Sequence, residues 1–141
     1  MDENEFYMRE ALKLALRSYA NNEVPVGAII VKNGLIIGKG NNQTEHKKNS
    51  LYHAELIAIN DACNKMKSWR LLGCTLFVTL EPCMMCMGAI LNSRINKIVF
   101  GTENKNFGAL KYLNDKLEII GGIYRNECAN LISSFFYNKR K

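Results

Sequence analysis

The sequence predicts an α/β domain in three layers, α/β/α, with a central mixed sheet of about five strands. Two observations carry the prediction. From residue 53 onward, helix-period and strand-like segments alternate as β-α units, which implies parallel strands joined by helical crossovers. Ahead of them stand two β-rich runs separated by Asn33-Gly34, the strongest short signal for an antiparallel hairpin. Parallel and antiparallel pairing in one sheet follows, with helices on both faces.

The segment 2–4 supplies capping residues for a first helix. Its apolar stripe is expected at Phe6, Leu12, Ala15, Leu16 and Tyr19, and it ends near Ala20, before Asn21-Asn22. The hairpin strands are 26–32 and 35–40; Gly38 and Gly40 loosen the exit of the second, and a polar loop covers 41–50. A helix heads off at His53 and runs to about Lys67, with Ala54, Ile57, Ala58 and Ala62 on its apolar face. The apolar run 74–80 reads as a buried strand. Pro82 cannot donate to a ladder, so it stops that strand and suits the start of a helix over 83–92. A strand at 97–101 follows. The last third is less regular: a loop at 107–109, a short strand at 117–120, and a turn at Gly121-Gly122. A final amphipathic helix from about Asn126 carries Cys128, Leu131, Ile132, Phe135 and Phe136 and ends in Lys139-Arg140-Lys141.

Composition sets the frame for function. A chain of 141 residues with 48% hydrophobic content makes one domain, 1–141, long enough to bury roughly 68% of its unfolded surface. A net charge of +6, from 19 Lys and Arg against 13 Asp and Glu, favours a polyanionic partner. No apolar run reaches the length of a membrane span, and the acidic opening Met1-Asp2-Glu3-Asn4-Glu5 is unlike a signal peptide. The five cysteines, an odd count, argue for a reducing compartment, so a cytoplasmic location is expected.

The chemistry concentrates in two short motifs. Cys83 and Cys86 stand three residues apart after Pro82, a spacing that turns both sulfurs to one face of a first helical turn. The helix N-terminus favours their thiolates, which suit a tetrahedral Zn²⁺. Alone, this pair reads equally as half of a structural zinc site, a redox pair, or two buried cysteines. Cys63, Cys74 and Cys128 are scattered singly and supply no second ligand pair. The partner motif is His53-Ala54-Glu55, weak by itself because helix starts often carry an acidic residue. Taken together, His53, Cys83 and Cys86 make three protein ligands and leave the fourth position of a catalytic zinc to water. Glu55, two residues from His53, is turned away from the ligand set and is free to move protons.

His53-x-Glu55 followed by Pro82-Cys83-x-x-Cys86 is the signature of zinc-dependent nucleobase deaminases. The chain as a whole resembles the bacterial tRNA-specific adenosine deaminases of the cytidine/deoxycytidylate deaminase superfamily. The matching residues include Glu23-Val-Pro-Val-Gly-Ala28, Asn42, His53-Ala-Glu55, Trp69-Arg-Leu71, Val78-Thr-Leu-Glu-Pro-Cys83, Cys86-Met-Gly-Ala89, Ser93-Arg-Ile95, Phe100-Gly101 and Phe135-Phe136. The match runs from about Phe6 to Arg140.

The resemblance implies a cytidine-deaminase-like fold, one zinc per chain, and hydrolysis of adenosine to inosine at the wobble position of the tRNA anticodon loop. It implies that Glu55 carries protons among the attacking water, a purine ring nitrogen and the departing ammonia. It also implies substrate contacts at Asn42, Val26, Ala54 and Phe136, and a homodimer. On its own residues, Asn42 reads as a turn residue. Periodicity alone places Phe135 and Phe136 in the core, yet adjacent helical positions point differently, so one of the pair is expected to be exposed. An exposed aromatic beside a basic tail suits stacking of an unpaired base.

Two segments depart from the family pattern. Asn49-Ser50-Leu51-Tyr52 replaces a common Asp-Pro-Thr before the His-Ala-Glu. Asn104 and Asn106 stand where an Asp and a Lys are usual, and the connection from Leu110 to Leu117 is several residues shorter. Both bear on substrate choice and leave the metal chemistry intact. The same apparatus would serve a deaminase of free guanine, cytosine or a nucleoside. A binding-only subunit is the other alternative, and it would have no chemical reason to carry Glu55.

Overall fold

The fold is that of a computed structural model, which describes residues 1–112 and 117–139. Helix α1 covers Glu3–Ala20, and Asp2 caps it in a full capping box with Glu5. Strands β1 (Gly27–Lys32) and β2 (Leu35–Asn41) form the antiparallel hairpin. Its turn residues Asn33 and Gly34 both have positive φ, 50° and 79°, as a type I′ turn requires. A single-turn helix α2 (Thr44–Lys47) interrupts the stretch expected as a plain polar loop. Then come α3 (Ala54–Met66), β3 (Cys74–Leu80), α4 (Met84–Asn92), β4 (Lys97–Thr102), a 3₁₀ turn at Leu110–Tyr112, β5 (Glu118–Ile120) and α5 (Arg125–Lys139).

The five strands lie in the order β2-β1-β3-β4-β5. β1 pairs antiparallel with β2 and β3, whereas β3, β4 and β5 run parallel. The α/β class, the mixed sheet and its strand count are as expected.

Period-2 alternation builds two cores. Ala28, Ile30, Leu76, Val78, Ile98 and Phe100 face α3 and α4, where Ala54, Ala58, Ala62, Met87 and Ile90 meet them. Ile29, Val31, Phe77 and Val99 face the other way, against Tyr7, Met8, Ala11 and Leu14 of α1 and Cys128 of α5.

Three local expectations are corrected. The buried face of α1 is Tyr7, Met8, Ala11, Leu14, Ala15 and Ser18, and Phe6 and Leu16 are exposed. Ala11, Ala15 and Ser18 make half of that face because α1 lies close on the sheet, so hydrophobic bulk alone did not mark its buried side. Gly38 and Gly40 do not loosen β2. A Cβ at either would collide with the backbone of α3 at Ala58 or Ala54, so they let α3 lie directly on the strand. Pro82 lies outside α4, whose N-cap is Cys83.

Candidate active site

Two β-to-α junctions meet at the carboxyl edge of the sheet. His53 is the N-cap of α3 and Cys83 the N-cap of α4, both in extended backbone. Cys86 is the third residue of α4 and is fully buried. Convergence of the two sulfurs thus comes from an N-cap leaning over the first turn, not from two side chains on one helical face. His53 Nδ1 lies 3.7 Å from Cys83 Sγ and 3.6 Å from Cys86 Sγ, and all three donor atoms fall within 4.8 Å of one another.

This trio fits a zinc ion. Tetrahedral Zn–S and Zn–N bonds of about 2.3 and 2.0–2.1 Å put sulfur and nitrogen roughly 3.6 Å apart, the separation found here. Two sulfurs and an imidazole are also the donor types that favour Zn²⁺ over hard cations. Cys83 is already pushed down to about 3, because the Cys86 thiol and His53 both donate to its sulfur. The proton that Cys86 donates, together with burial, pushes that thiol up. His53 is raised chiefly by its hydrogen bond to Cys83, against the opposing effect of burial.

Glu55 is buried beside them, only 4% exposed. Burial is the main reason its carboxyl is pushed up to about 7, with the nearby Cys83 charge adding to the shift. A carboxyl near neutrality can both accept and return a proton.

His53 and Cys83 line a cavity of about 550 Å³, with Cys86 buried behind them. Val24, Val26, Asn42 and Thr44 form part of its wall, residues 102–107 its rim, and α5 supplies Ala129, Ile132, Ser133 and Phe136. Asn42 is held at three points. Its N–H donates to Val26 O at 3.2 Å, its carbonyl accepts from Ser18 Oγ at 2.9 Å, and its Oδ1 accepts the Ala54 N–H at 2.8 Å. That last bond caps α3 and fixes His53 beside it. Among the described residues nothing accepts from Asn42 Nδ2, which leaves a donor for a ligand.

Val26, Asn42, His53, Glu55, Cys83 and Phe136 therefore share one cavity. Ala54 does not line it: its side chain is fully buried in the core and its N–H is taken by Asn42. Phe135 is buried and packs edge-on against Tyr19, while Phe136 is 43% exposed. Of the basic tail, Lys139 lies over the Phe135 ring, and Arg140 and Lys141 fall outside the described residues. Asn104 and Asn106 are on the rim, and Tyr52 is part-exposed beside His53. The connection from Leu110 to Leu117 lies partly outside the described residues.

Two carboxylates with no role assigned from sequence hold the cavity walls. Glu81 is one. The other is Glu23, 1% exposed, which accepts the N–H groups of Glu45 (3.0 Å) and His46 (2.8 Å) and contacts His46 Nδ1 at 2.6 Å. It ties α2, and with it Thr44 on the cavity wall, to the end of α1. Burial pushes the Glu23 carboxyl up, but the hydrogen bonds from His46 and from the two N–H groups outweigh it and leave it below the ordinary carboxylate range. A depressed carboxyl stabilises the fold above its unfolded value, and that stability is lost as pH falls through the folded value. Glu23→Gln should therefore cost about 1–3 kcal/mol at neutral pH, and the gap to wild type should close below about pH 4. Thermal unfolding measured across pH checks this; a gap that persists unchanged at pH 3 would sink it.

Residues 1–102 match the family profile described as the cytidine and deoxycytidylate deaminase zinc-binding region. The chain is similar to the tRNA-specific adenosine deaminase of Bacillus subtilis (strain 168), at 41% identity over 150 aligned positions covering 100% of this chain and 93% of that protein. It superposes with a TM-score of 0.84 and 31% identity on a structure from a study of A-to-I editing by tRNA:A34 deaminases at the wobble position of transfer RNA, covering 89% of this chain and 98% of the other. It also resembles guanine deaminase from Bacillus subtilis, with a TM-score of 0.71 and 33% identity over 77% of this chain and 72% of that one.

Proposed function

The chain belongs to the cytidine and deoxycytidylate deaminase family with its zinc-binding region, and on that premise we propose that it hydrolyses adenosine to inosine at the wobble position of tRNA. It is a zinc-dependent deaminase, with one zinc per chain. The observation that carries the assignment is the convergence of His53, Cys83 and Cys86 beside a cavity that also holds a buried carboxyl.

His53, Cys83 and Cys86 would hold the zinc. When bound, zinc lowers the pKa of water enough to supply a nucleophile near neutral pH. Glu55 takes the proton that the attacking water gives up and passes it to the purine ring nitrogen next to C6. As the C6–N bond breaks, Glu55 takes the remaining proton from the oxygen now on C6 and delivers it to the departing amine, so ammonia leaves and inosine remains with a C6 carbonyl and the first proton on its ring nitrogen. Asn42 donates from Nδ2 to an acceptor on the base. Val26 supplies an apolar wall, and the exposed face of Phe136 stacks a neighbouring unpaired base. The buried Ala54 acts one step back, through the N–H it donates to Asn42 Oδ1.

The expected result is deamination of an anticodon stem-loop in preference to free bases and nucleosides. Phe136→Ala should weaken stem-loop binding by about 1–3 kcal/mol without altering zinc content. The wild-type affinity should fall with salt by about 0.7 in log–log slope for each phosphate neutralised on a single strand. Turnover of free guanine or cytosine with the stem-loop left untouched would replace the RNA substrate with a small one.

The protein works as a homodimer in the cytoplasm. Leu51, Met66, Trp69, Leu72 and Met84 are exposed apolar side chains in or beside α3 and α4, and a second copy would cover them. Light scattering should give twice the 16.0 kDa mass of one chain; a monomer at micromolar concentration would contradict it. Among the described residues, no helix is long and apolar enough to cross a membrane.

A further inference from the structure

We propose that Glu81 is the positioning residue of a rim loop that grips the RNA outside the reacting base, an inference that rests on the RNA substrate proposed above. Its two carboxylate oxygens tie both ends of one loop. Oε1 accepts the Asn104 N–H and Oε2 the Leu110 N–H, each at 3.1 Å. The loop is closed on itself by Asn104, whose Oδ1 accepts the Phe107 N–H at 3.2 Å and whose carbonyl accepts the Gly108 N–H at 2.9 Å.

The same anchor reaches the metal centre. Glu81 N–H donates to Thr102 O at 2.9 Å, and Ala109 N–H donates to Pro82 O at 3.0 Å. The loop is thus pinned to the two residues immediately before Cys83. Gly108 is part of the device, because a Cβ there would overlap the Glu81 carboxyl group. On the outer side, Arg125 pairs with Glu103 at 2.7 Å, but both side chains are about half exposed, so that contact is the weaker hold.

The loop presents the groups that an RNA strand requires. Lys105 and Phe107 line the cavity mouth, and Phe107 is 70% exposed although its backbone is fixed. A cation beside an exposed ring matches a phosphate beside an unpaired base. Both stand on the rim of the cavity that holds His53, Cys83 and Glu55, and neither is a zinc ligand or the proton carrier. Holding the loop therefore acts on RNA affinity and leaves the chemical step alone.

The test is steady-state kinetics on an anticodon stem-loop, with zinc content and amide hydrogen exchange measured on the same proteins. Glu81→Ala should raise KM about tenfold or more while kcat stays within about threefold and zinc remains full. Glu81→Gln keeps one acceptor oxygen and should fall between it and wild type. Gly108→Ala, made from the loop side, should give the same split, and the double variant should be no worse than the worse single one. The Asn104 and Leu110 amides should exchange faster in Glu81→Ala, with β3 and β4 unchanged. Freed amides with an unaltered KM would overturn the inference, as would lost zinc with a collapsed kcat at normal KM, which would make Glu81 a support of the metal. A wild-type protein inactive on the stem-loop would overturn the RNA substrate itself, a failure visible before any variant is made.

Discussion

Glu55→Ala should retain a full complement of zinc and lose deamination by at least about 10²–10⁴-fold, the usual cost of removing a general acid–base group. The two halves of this expectation have separate causes. Zinc is retained because the converging donors are His53 Nδ1 and the two sulfurs, and the Glu55 carboxylate is not one of them. Activity falls because proton transfers at the water, the ring nitrogen and the leaving amine all need a carrier inside a closed site. Glu55 is buried and its carboxyl is pushed up to about 7, so both of its protonation states are accessible at neutral pH. Glu55→Gln is the sharper variant: it preserves shape and hydrogen bonding and removes only proton exchange. Metal analysis and single-turnover kinetics on the two variants settle the matter. An active Glu55→Gln protein would mean that another group carries the protons.

Cys86→Ser should strip zinc and abolish activity together, with Cys83→Ser behaving alike. Cys86 is fully buried in the first turn of α4, so a serine hydroxyl there cannot borrow a replacement ligand from solvent. Second-row oxygen is also a poorer and shorter donor than sulfur for a tetrahedral Zn²⁺ site. The control is internal. Cys63 and Cys128 lie outside the cluster, one half-buried beside the α3 core and the other packed under Gly101. Cys63→Ser should spare both zinc and activity. Cys128→Ser should spare them too, at a cost in stability, because it puts a hydroxyl where a buried thiol sat. Full zinc occupancy in the Cys86→Ser protein would refute the ligand assignment.

What could be read from the sequence follows from how local each signal is. The hairpin was legible because Asn33-Gly34 carries its own backbone preference. The metal trio was legible because two ligands are three residues apart and the third heads its own motif. The phase of α1 was not, because tight packing on the sheet selects Ala11, Ala15 and Ser18, whereas Phe6 and Leu16 look more hydrophobic and lie outside. Gly38 and Gly40 were misread because the reason for them is a helix that arrives 14 residues or more later in the chain. Glu23 and Glu81 were silent because their partners are backbone N–H groups 22, 23 and 29 residues away. A backbone donor has no side-chain identity to betray it in a sequence.

The pairing of the two N-cap residues has a consequence for chain topology. His53 and Cys83 are 30 residues apart, and between them run all of α3 and β3. An ion held by both closes that stretch into a ring, as a covalent staple would. By the chain-entropy argument for crosslinks, a loop of this length removes about 3–4 kcal/mol of freedom from the unfolded chain. Metal affinity and resistance to unfolding are then two faces of one equilibrium. A strong chelator should lower the melting temperature as well as the rate of turnover, and the amides in the first turns of α3 and α4 should be the first to open.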